Sequence, residues 1–369
     1  MTTLRWAEDA LGLLLQRVGR TTEQVGARFP LYADPADGRW KTTGRGSWTG
    51  GFWAGLLWLR ARHTGSDADR TTAEAVTARL APWADADTAT RGLIVWYGTA
   101  LATGNETADD LREHAANSAL DAGDPHLGLV PWGAALGGSR LRARADGVPG
   151  LVPLLASAGP EGQEAAAAHL HRHLDLCLHH EDTSRPRPAW HWAQGRGWVA
   201  EPDPAPGWAR GEAWLLLAVA DAFLHVPITS PRTDRGLVNT TGLAESAERL
   251  LDCGEFLTGP LVPPAGIRHP GGPLDSSAAA IAAVALLKLA CVPGAAWASA
   301  CAARAEAVLH RLTHAHLTRP GGSRPPGMLL DGCYDEHSGT AVRHELVWGD
   351  FFLALGLSAL LGRVDLRRV

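Results

Sequence analysis

The hydrophobic and polar positions along this 369-residue chain follow the pattern of an all-helical protein. Apolar residues recur with the 3.6-residue period of an α-helix, and proline, glycine and polar clusters separate the periodic stretches. The pattern predicts twelve helices, near 4–19, 49–63, 69–84, 90–103, 106–122, 146–157, 162–180, 209–225, 240–256, 275–291, 295–313 and 346–361.

Consecutive predicted helices alternate in character. The odd-numbered ones, such as 69–84 and 295–313, keep their charges on one face, as helices that cover a core do. The even-numbered ones, such as 209–225 and 346–361, are apolar nearly all round and must be covered on every side. Six buried helices alternating with six amphipathic ones predict an all-α (α/α)6 barrel, formed as a single domain over residues 1–369. A superhelical repeat array is the alternative, but no fixed-period motif supports it.

The longest predicted loops lie at one end of the barrel. Strand signal is scarce, and only the stretch 188–199 predicts a short hairpin. Long loops on one face of a rigid scaffold usually shape a binding site. The four longest each lead into an even-numbered helix: 20–47, 123–145, 181–207 and 314–345.

The even-numbered helices begin with residues that suit a binding site. Inner helices of such a barrel run parallel, so their positive amino-terminal ends meet at one mouth. Asp275 and Ser276 are explained better as N-caps than as catalytic groups. Tryptophan and arginine are not capping residues, so those at the helix starts indicate a site: Trp48, Trp208, Arg210 and Trp348. A structural ion pair of Arg210 with Glu212 at the helix end is the alternative for that arginine.

Composition narrows the classes of partner. With 46% hydrophobic residues the chain can bury a large core, and a formal net charge of −5 argues against nucleic acid. No apolar run is long enough for a membrane span, and the first helix is amphipathic, so we expect a cytoplasmic protein. The 15 tryptophans, against 6 phenylalanines and 3 tyrosines, suit carbohydrate rings, which offer both C–H patches and hydroxyls.

Neither a metal nor a cofactor is expected. The five cysteines are scattered without any C-x-x-C pair. His169, His173 and Cys177 share one face of the seventh helix, and histidines four residues apart can bind zinc. That helix belongs to the outer layer, which we expect to be remote from the mouth. No phosphate-binding loop, G-x-S-x-G or dinucleotide motif occurs.

The motifs at the helix starts, taken in order, resemble those of the unsaturated glucuronyl hydrolases and unsaturated rhamnogalacturonyl hydrolases, glycoside hydrolase families 88 and 105. The resemblance covers nearly the whole chain, and the joint spacing is more specific than any single element. Its elements are Trp48-x-x-Gly51-Phe52-Trp53-x-Gly55, Asp146-Gly147-x-x-x-Leu151-x-Pro153-Leu154-Leu155, His191, Trp208-Ala209-Arg210-Gly211-x-Ala213-Trp214, Asp275-Ser276-Ser277-Ala278 and Trp348-Gly349-Asp350-Phe351.

The resemblance implies an (α/α)6 barrel enzyme that hydrates the C4=C5 double bond of an unsaturated uronic acid and releases the attached sugar. It implies that Asp146 is the general acid and then the base, which requires a pKa above the ordinary value of an aspartate. Arg210 would bind the substrate carboxylate and His191 a hydroxyl or the carboxylate. The apolar walls would be formed by Trp48, Trp132 and Trp214.

The chain departs from the family pattern at two positions. Thr90 stands where the family carries a second aspartate, which would raise the pKa of Asp146 as a like charge. Glu201 lies in the run that corresponds to a family glutamine. An active enzyme on the usual substrate, an enzyme retuned for another enol-ether sugar, and a non-catalytic sugar-binding protein are therefore all open. A sugar epimerase on the same fold would need two facing histidines, and only His191 is well placed.

Overall fold

The computed structural model describes residues 4–179, 184–227, 240–269 and 271–369. Within these ranges, two concentric layers of helices confirm the predicted (α/α)6 barrel. The outer layer consists of α1 (Arg5–Val25), α3 (Asp67–Ala78), α5 (Glu106–Asp121), α7 (Pro160–Cys177), α9 (Thr240–Cys253) and α11 (Ala298–Ala315). The inner layer consists of α2 (Gly50–Thr64), α4 (Tyr97–Thr99), α6 (Leu151–Ala156), α8 (Ala209–His225), α10 (Ser276–Ala290) and α12 (Val347–Leu360).

The inner helices form a closed ring. Each packs against the next in the series, except that α6 packs against the turn at residues 92–96 just before α4, and α12 returns to pack against α2. The ring is buried because these helices have almost no polar face: in α10, every residue from Ser276 to Leu286 is inaccessible or nearly so. The alternation of apolar and amphipathic helices along the chain thus becomes the alternation of the two layers.

Two glycines allow the inner helices to approach closely where the ring is tightest. A Cβ added to Gly51 of α2 would lie 2.2 Å from the carbonyl oxygen of Ile94. A Cβ added to Gly92 would lie 2.0 Å from the backbone nitrogen of Leu151. Because both contacts are with backbone, no side chain larger than hydrogen fits at either position.

Two inner helices, α4 and α6, are shorter than the sequence predicts. A π-helical turn, Gly92–Trp96, precedes α4, and helical structure ends at Thr99 within the predicted stretch 90–103. The sixth segment begins with a 3₁₀ turn, Ala145–Gly147, and α6 starts only after Gly150, whose φ of 69° interrupts the helix. Asp146 therefore lies in a turn before the helix and is not its first residue.

In the part of the chain that the structure describes, seven short strands form two small sheets in the long loops. The strands are β1 (Phe29–Ala33), β2 (Trp40–Thr43), β3 (Arg142–Arg144), β4 (Ala189–Ala193), β5 (Gly197–Ala200), β6 (Gly332–Asp335) and β7 (Thr340–Leu346). The β4–β5 pair confirms the predicted hairpin, and β3 extends it to three strands. The four-stranded sheet, in the order β2-β1-β7-β6, was not predicted, because its strands are short and mix polar with apolar residues.

Candidate active site

The starts of four inner helices meet in a cluster of aromatic rings and hydrogen bonds. Trp48, just before α2, lies with its ring centroid 4.8 Å from that of Trp348 in α12. The Trp348 indole donates to the hydroxyl of Ser277 in α10 at 2.9 Å. Arg210 of α8 lies over the Trp348 ring at 5.6 Å. The amino-terminal ends of α2, α8, α10 and α12 therefore converge, as expected of parallel inner helices.

The turn that carries Asp146 lies at the same end of the barrel. Its backbone packs against α8, and Gly147 lies beside Trp132 and Ala89, where a Cβ would contact both side chains. The backbone N–H of Ala89, in turn, donates to the carbonyl of Trp132 at 3.0 Å. Asp146 keeps 19% of its side-chain surface exposed, and Trp132 is half-buried.

Asp146 is paired with Arg144, an arginine outside the spaced motifs. Arg144, two residues earlier on β3, donates from Nε to Oδ1 at 2.9 Å and from Nη2 to Oδ2 at 3.2 Å. The guanidinium also lies over the Trp132 ring, 4.9 Å from its centroid. Burial lowers the pKa of Arg144, but the charges of Asp146 and Glu201 outweigh burial and raise it overall. Both carboxylate oxygens of Asp146 are thus held by one guanidinium.

The three-stranded sheet places His191 on the same face as Arg144. His191 pairs with Arg142 across the β3–β4 ladder, and Arg144 pairs with Ala189 in the same register. Paired residues and those two positions along a strand share a face of the sheet. His191 Nδ1 lies 3.6 Å from Glu201 Oε1, which also accepts from Arg142 Nε at 2.7 Å. Two arginines, one histidine and two carboxylates therefore surround this part of the mouth.

A buried histidine holds the Asp146 turn from behind. His169 of α7 accepts from the backbone N–H of Val130 at Nδ1, so its Nε2 carries the proton and donates to Gly147 O at 3.3 Å. Burial and the neighbouring His173 lower the pKa of His169 well below its ordinary value. The expectation that this helix face is remote from the mouth is wrong, because its histidine fixes the backbone next to Asp146. The described residues hold no group of three metal-ligating side chains.

Arg210 does not present a free guanidinium to the mouth. Its side chain is 5% exposed, and Nη1 donates to Oδ2 of Asp275 at 2.7 Å and to the carbonyl of Cys333. Nη2 donates to the carbonyl of Tyr334 at 2.6 Å. In this arrangement, the guanidinium links α8 to α10 and to β6, which corrects the expectation that it waits for a substrate carboxylate.

Asp275 is explained by capping, as the sequence analysis favoured. Its Oδ1 accepts from the backbone N–H groups of Ser277 and Ala278, the first donors of α10. The proposed structural pairing of Arg210 with Glu212 is replaced by the pairing of Arg210 with Asp275, because Glu212 turns to the other side of α8 and accepts from Arg185.

Two further predicted site residues are enclosed. Trp214 is 1% exposed and packs against Phe52 and Phe352 in the barrel core, so it does not form an open wall. Thr90 is also 1% exposed, and its hydroxyl lies 2.8 Å from that of Thr88. The predicted residues that keep part of their surface accessible at the mouth are Trp48, Trp132, Asp146, His191 and Trp208.

A separate cavity of about 360 Å³ lies between α8, α10 and α11. None of the predicted site residues lines it, but Glu212 does. Burial raises the pKa of Glu212 to about 7, although its partner Arg185 favours the ionised form. The Oε1 atom has no hydrogen-bond partner among the described residues.

The raised pKa of Glu212 predicts a loss of stability with rising pH. Because the folded-state pKa of about 7 exceeds the ordinary glutamate value of 4.5, this group's stabilising effect is complete below pH 4.5 and is lost as the pH rises through 7. The loss amounts to roughly 3 kcal/mol. We expect Glu212→Gln to flatten the fall in unfolding free energy between pH 5 and 8, measured by chemical denaturation. Glu255→Gln, at the exposed second partner of Arg185, is the control; parallel curves for Glu212→Gln and the unmodified protein would refute the assignment.

No described helix has the length and hydrophobicity required to cross a membrane. No protein-family model matches the chain, and no curated protein sequence matches it either.

Solved structures do resemble it over nearly their full length. An unsaturated glucuronyl hydrolase from Bacillus sp. GL1, described as responsible for the degradation of glycosaminoglycan, superposes with a TM-score of 0.80 at 20% identity, covering 96% of each chain. An unsaturated glucuronyl hydrolase described as specific for heparin gives 0.80 at 18%, covering 98% of this chain and 99% of the other. An aspartate-to-asparagine variant of the Streptococcus agalactiae enzyme, complexed with dGlcA-GalNAc6S, gives 0.73 at 16%, covering 98% and 93%.

The fold is that of the unsaturated glucuronyl hydrolases. Their chains and this one follow the same path through both helical layers, so the resemblance drawn from the spaced motifs is confirmed for the architecture. At these identities the likeness concerns the fold, and chemistry has to be argued from the side chains at the mouth.

Proposed function

We propose that this protein is a hydrolase that hydrates the C4=C5 double bond of a terminal unsaturated uronic acid and thereby releases the attached sugar. The observation that carries the proposal is the position of Asp146. It is a partly exposed carboxyl group in a turn at the mouth of this barrel, beside an indole and a histidine-bearing strand. The proposal treats residues 1–369 as one catalytic domain.

The substrate class follows from the fold neighbours. The Streptococcus agalactiae enzyme is described in complex with dGlcA-GalNAc6S, and two others are described in connection with heparin and glycosaminoglycan. We propose a small carbohydrate of this kind as the partner of this chain, bound without a metal or cofactor. Nucleic acid is not expected, since the net charge is −5. We also propose a cytoplasmic location, which suits the five free cysteine thiols.

In the proposed reaction Asp146 acts first as an acid and then as a base. The protonated carboxyl group transfers its proton to C4 of the enol ether, and positive charge develops at C5 and the ring oxygen. The resulting carboxylate takes a proton from a water molecule, whose oxygen bonds to C5. The hemiketal then opens and the glycosidic bond at C1 is lost with it, so one water is consumed and Asp146 ends protonated.

The neighbouring side chains receive distinct roles in this proposal. His191 is partly exposed and would hydrogen-bond a ring hydroxyl. The half-buried indoles of Trp48 and Trp132 would pack against the sugar rings. Thr90, Arg210 and Trp214 would support the site from beneath, because each is enclosed by protein.

The test is to mix the protein with an unsaturated glycosaminoglycan disaccharide and follow the enol-ether absorbance together with the product masses. We expect the absorbance to disappear and the summed product masses to exceed the substrate by one water. An epimerase would leave the mass unchanged. A binding protein would leave the disaccharide intact, and either result would overturn the proposed reaction.

A further inference from the structure

Two arginines at the mouth differ in how many of their guanidinium N–H groups are already hydrogen-bonded to protein. Arg210 is 5% exposed, with three hydrogen bonds to Asp275 and two backbone carbonyls. Arg144 keeps 19% of its side-chain surface exposed and uses only Nε and Nη2, both toward Asp146. A guanidinium has five N–H donors, arranged so that its side edge and its end edge can each grip one carboxylate. The end edge of Arg144, formed by Nη1 and the second N–H of Nη2, has no acceptor among the described residues.

We propose that Arg144, and not Arg210, receives the carboxylate of the unsaturated uronic acid, on the guanidinium edge left open beside Asp146. This assignment rests on the proposed function, which supplies the anionic substrate. Arg144 then lies between two carboxylates, that of Asp146 on its side edge and that of the substrate on its end edge. The Trp132 ring, whose centroid lies 4.9 Å from the guanidinium carbon, adds a cation–π contact that favours this position of Arg144.

The position of Arg144 also orients the sugar. The carboxylate of the uronic acid is attached to C5, next to the double bond. An anion held on the end edge of Arg144 therefore brings C4 and C5 beside the carboxyl group held on the side edge. One residue would thus set the distance between the acid and the carbon that it protonates.

The substrate's charge replaces a group that the chain lacks. Thr90 stands where the resembling family carries a second aspartate, so the free site lacks that like charge. A substrate carboxylate on Arg144 would supply a like charge beside Asp146 and share the guanidinium that contacts both Asp146 oxygens. The other charged or titratable groups around this pair are Arg142, His191, Glu201 and Asp203 at the mouth, and His173 and Cys177 behind it. The bound anionic sugar would therefore take the place of that second carboxylate.

The experiment compares the unsaturated disaccharide with its methyl ester on the unmodified protein, Arg144→Gln and Arg144→Lys. We expect the unmodified protein to prefer the acid over the ester, and Arg144→Gln to lose about 10- to 100-fold more in kcat/KM for the acid than for the ester. Arg144→Lys, which keeps the charge without the two-edged fork, should recover part of the loss. The acid limb of the kcat pH profile should shift in both variants. Arg140→Gln is the control, since that exposed arginine pairs with Asp87.

The outcomes separate this inference from the proposed function. If the unmodified protein hydrates the disaccharide and Arg144→Gln still prefers the acid as strongly, the Arg144 assignment is overturned while the function stands. If there is no turnover, calorimetry measures the binding of the disaccharide and of its methyl ester. A loss of preference for the acid in Arg144→Gln then supports the Arg144 assignment, while the proposed reaction is refuted. If neither turnover nor binding is observed, the Arg144 assignment and the proposed function are both refuted.

Discussion

Replacing Asp146 with asparagine is expected to lower kcat on an unsaturated disaccharide by about 10²- to 10⁴-fold, the contribution usual for a positioned general acid. The amide has nearly the same shape, but it cannot give a proton to C4 or take one from water. Single-turnover kinetics on the purified variant would measure the effect.

The matched control for this variant is Asp87→Asn. Asp87 also accepts from an arginine side chain, Arg140, at 3.0 Å, but it lies on the exposed rim. The control should therefore retain its rate and its melting temperature within the scatter of surface substitutions. An Asp146→Asn protein as active as the control would end the assignment of Asp146.

Replacing Arg210 with methionine is expected to reduce the free energy of unfolding by about 3–5 kcal/mol. The substitution leaves the Asp275 carboxylate, which is fully buried, without its charged partner. Chemical denaturation would measure this loss. Adding Asp275→Asn, which keeps the capping oxygen and removes the charge, should restore part of the stability.

The same variant distinguishes the structural role of Arg210 from the role implied by family resemblance. A direct contact with substrate would raise KM and leave the stability intact. The buried pairing with Asp275 predicts instead that the free energy of unfolding falls and that KM is affected less. An Arg210→Met protein as stable as the unmodified one would show that the guanidinium is free for substrate.

The helical architecture could be predicted because it depends on local periodicity. Each inner helix is apolar on all sides over three or more turns, or begins at a glycine or proline break, and both signals are written in consecutive residues. The exceptions were the stretches around Gly92 and Gly150. There, contacts between the two segments force a π turn and a left-handed residue, and no local pattern reveals such contacts.

The site was predicted less completely than the fold. Spaced motifs select Asp146 and His191 as candidates, but the pairing of Arg210 with Asp275 joins residues 65 positions apart. The role of His169 depends on a hydrogen bond to a backbone carbonyl 22 positions away. Arg144 has one signal in the sequence: it stands two residues before the candidate acid, at the end of the strand that the Asp146 turn follows. The strand that carries Arg144 has only three residues, too few for an alternating pattern to be recognised in the sequence.

The central claim is that the mouth of this barrel holds an unsaturated uronic acid with its double bond against the carboxyl group of Asp146. A crystal structure of the Asp146→Asn protein with an unsaturated glycosaminoglycan disaccharide tests it most directly. We predict C4 of the unsaturated ring within about 3.5 Å of the side chain at position 146, the distance of a reactive approach. A disaccharide bound with that ring elsewhere, for example in the cavity beside α10, would contradict the account.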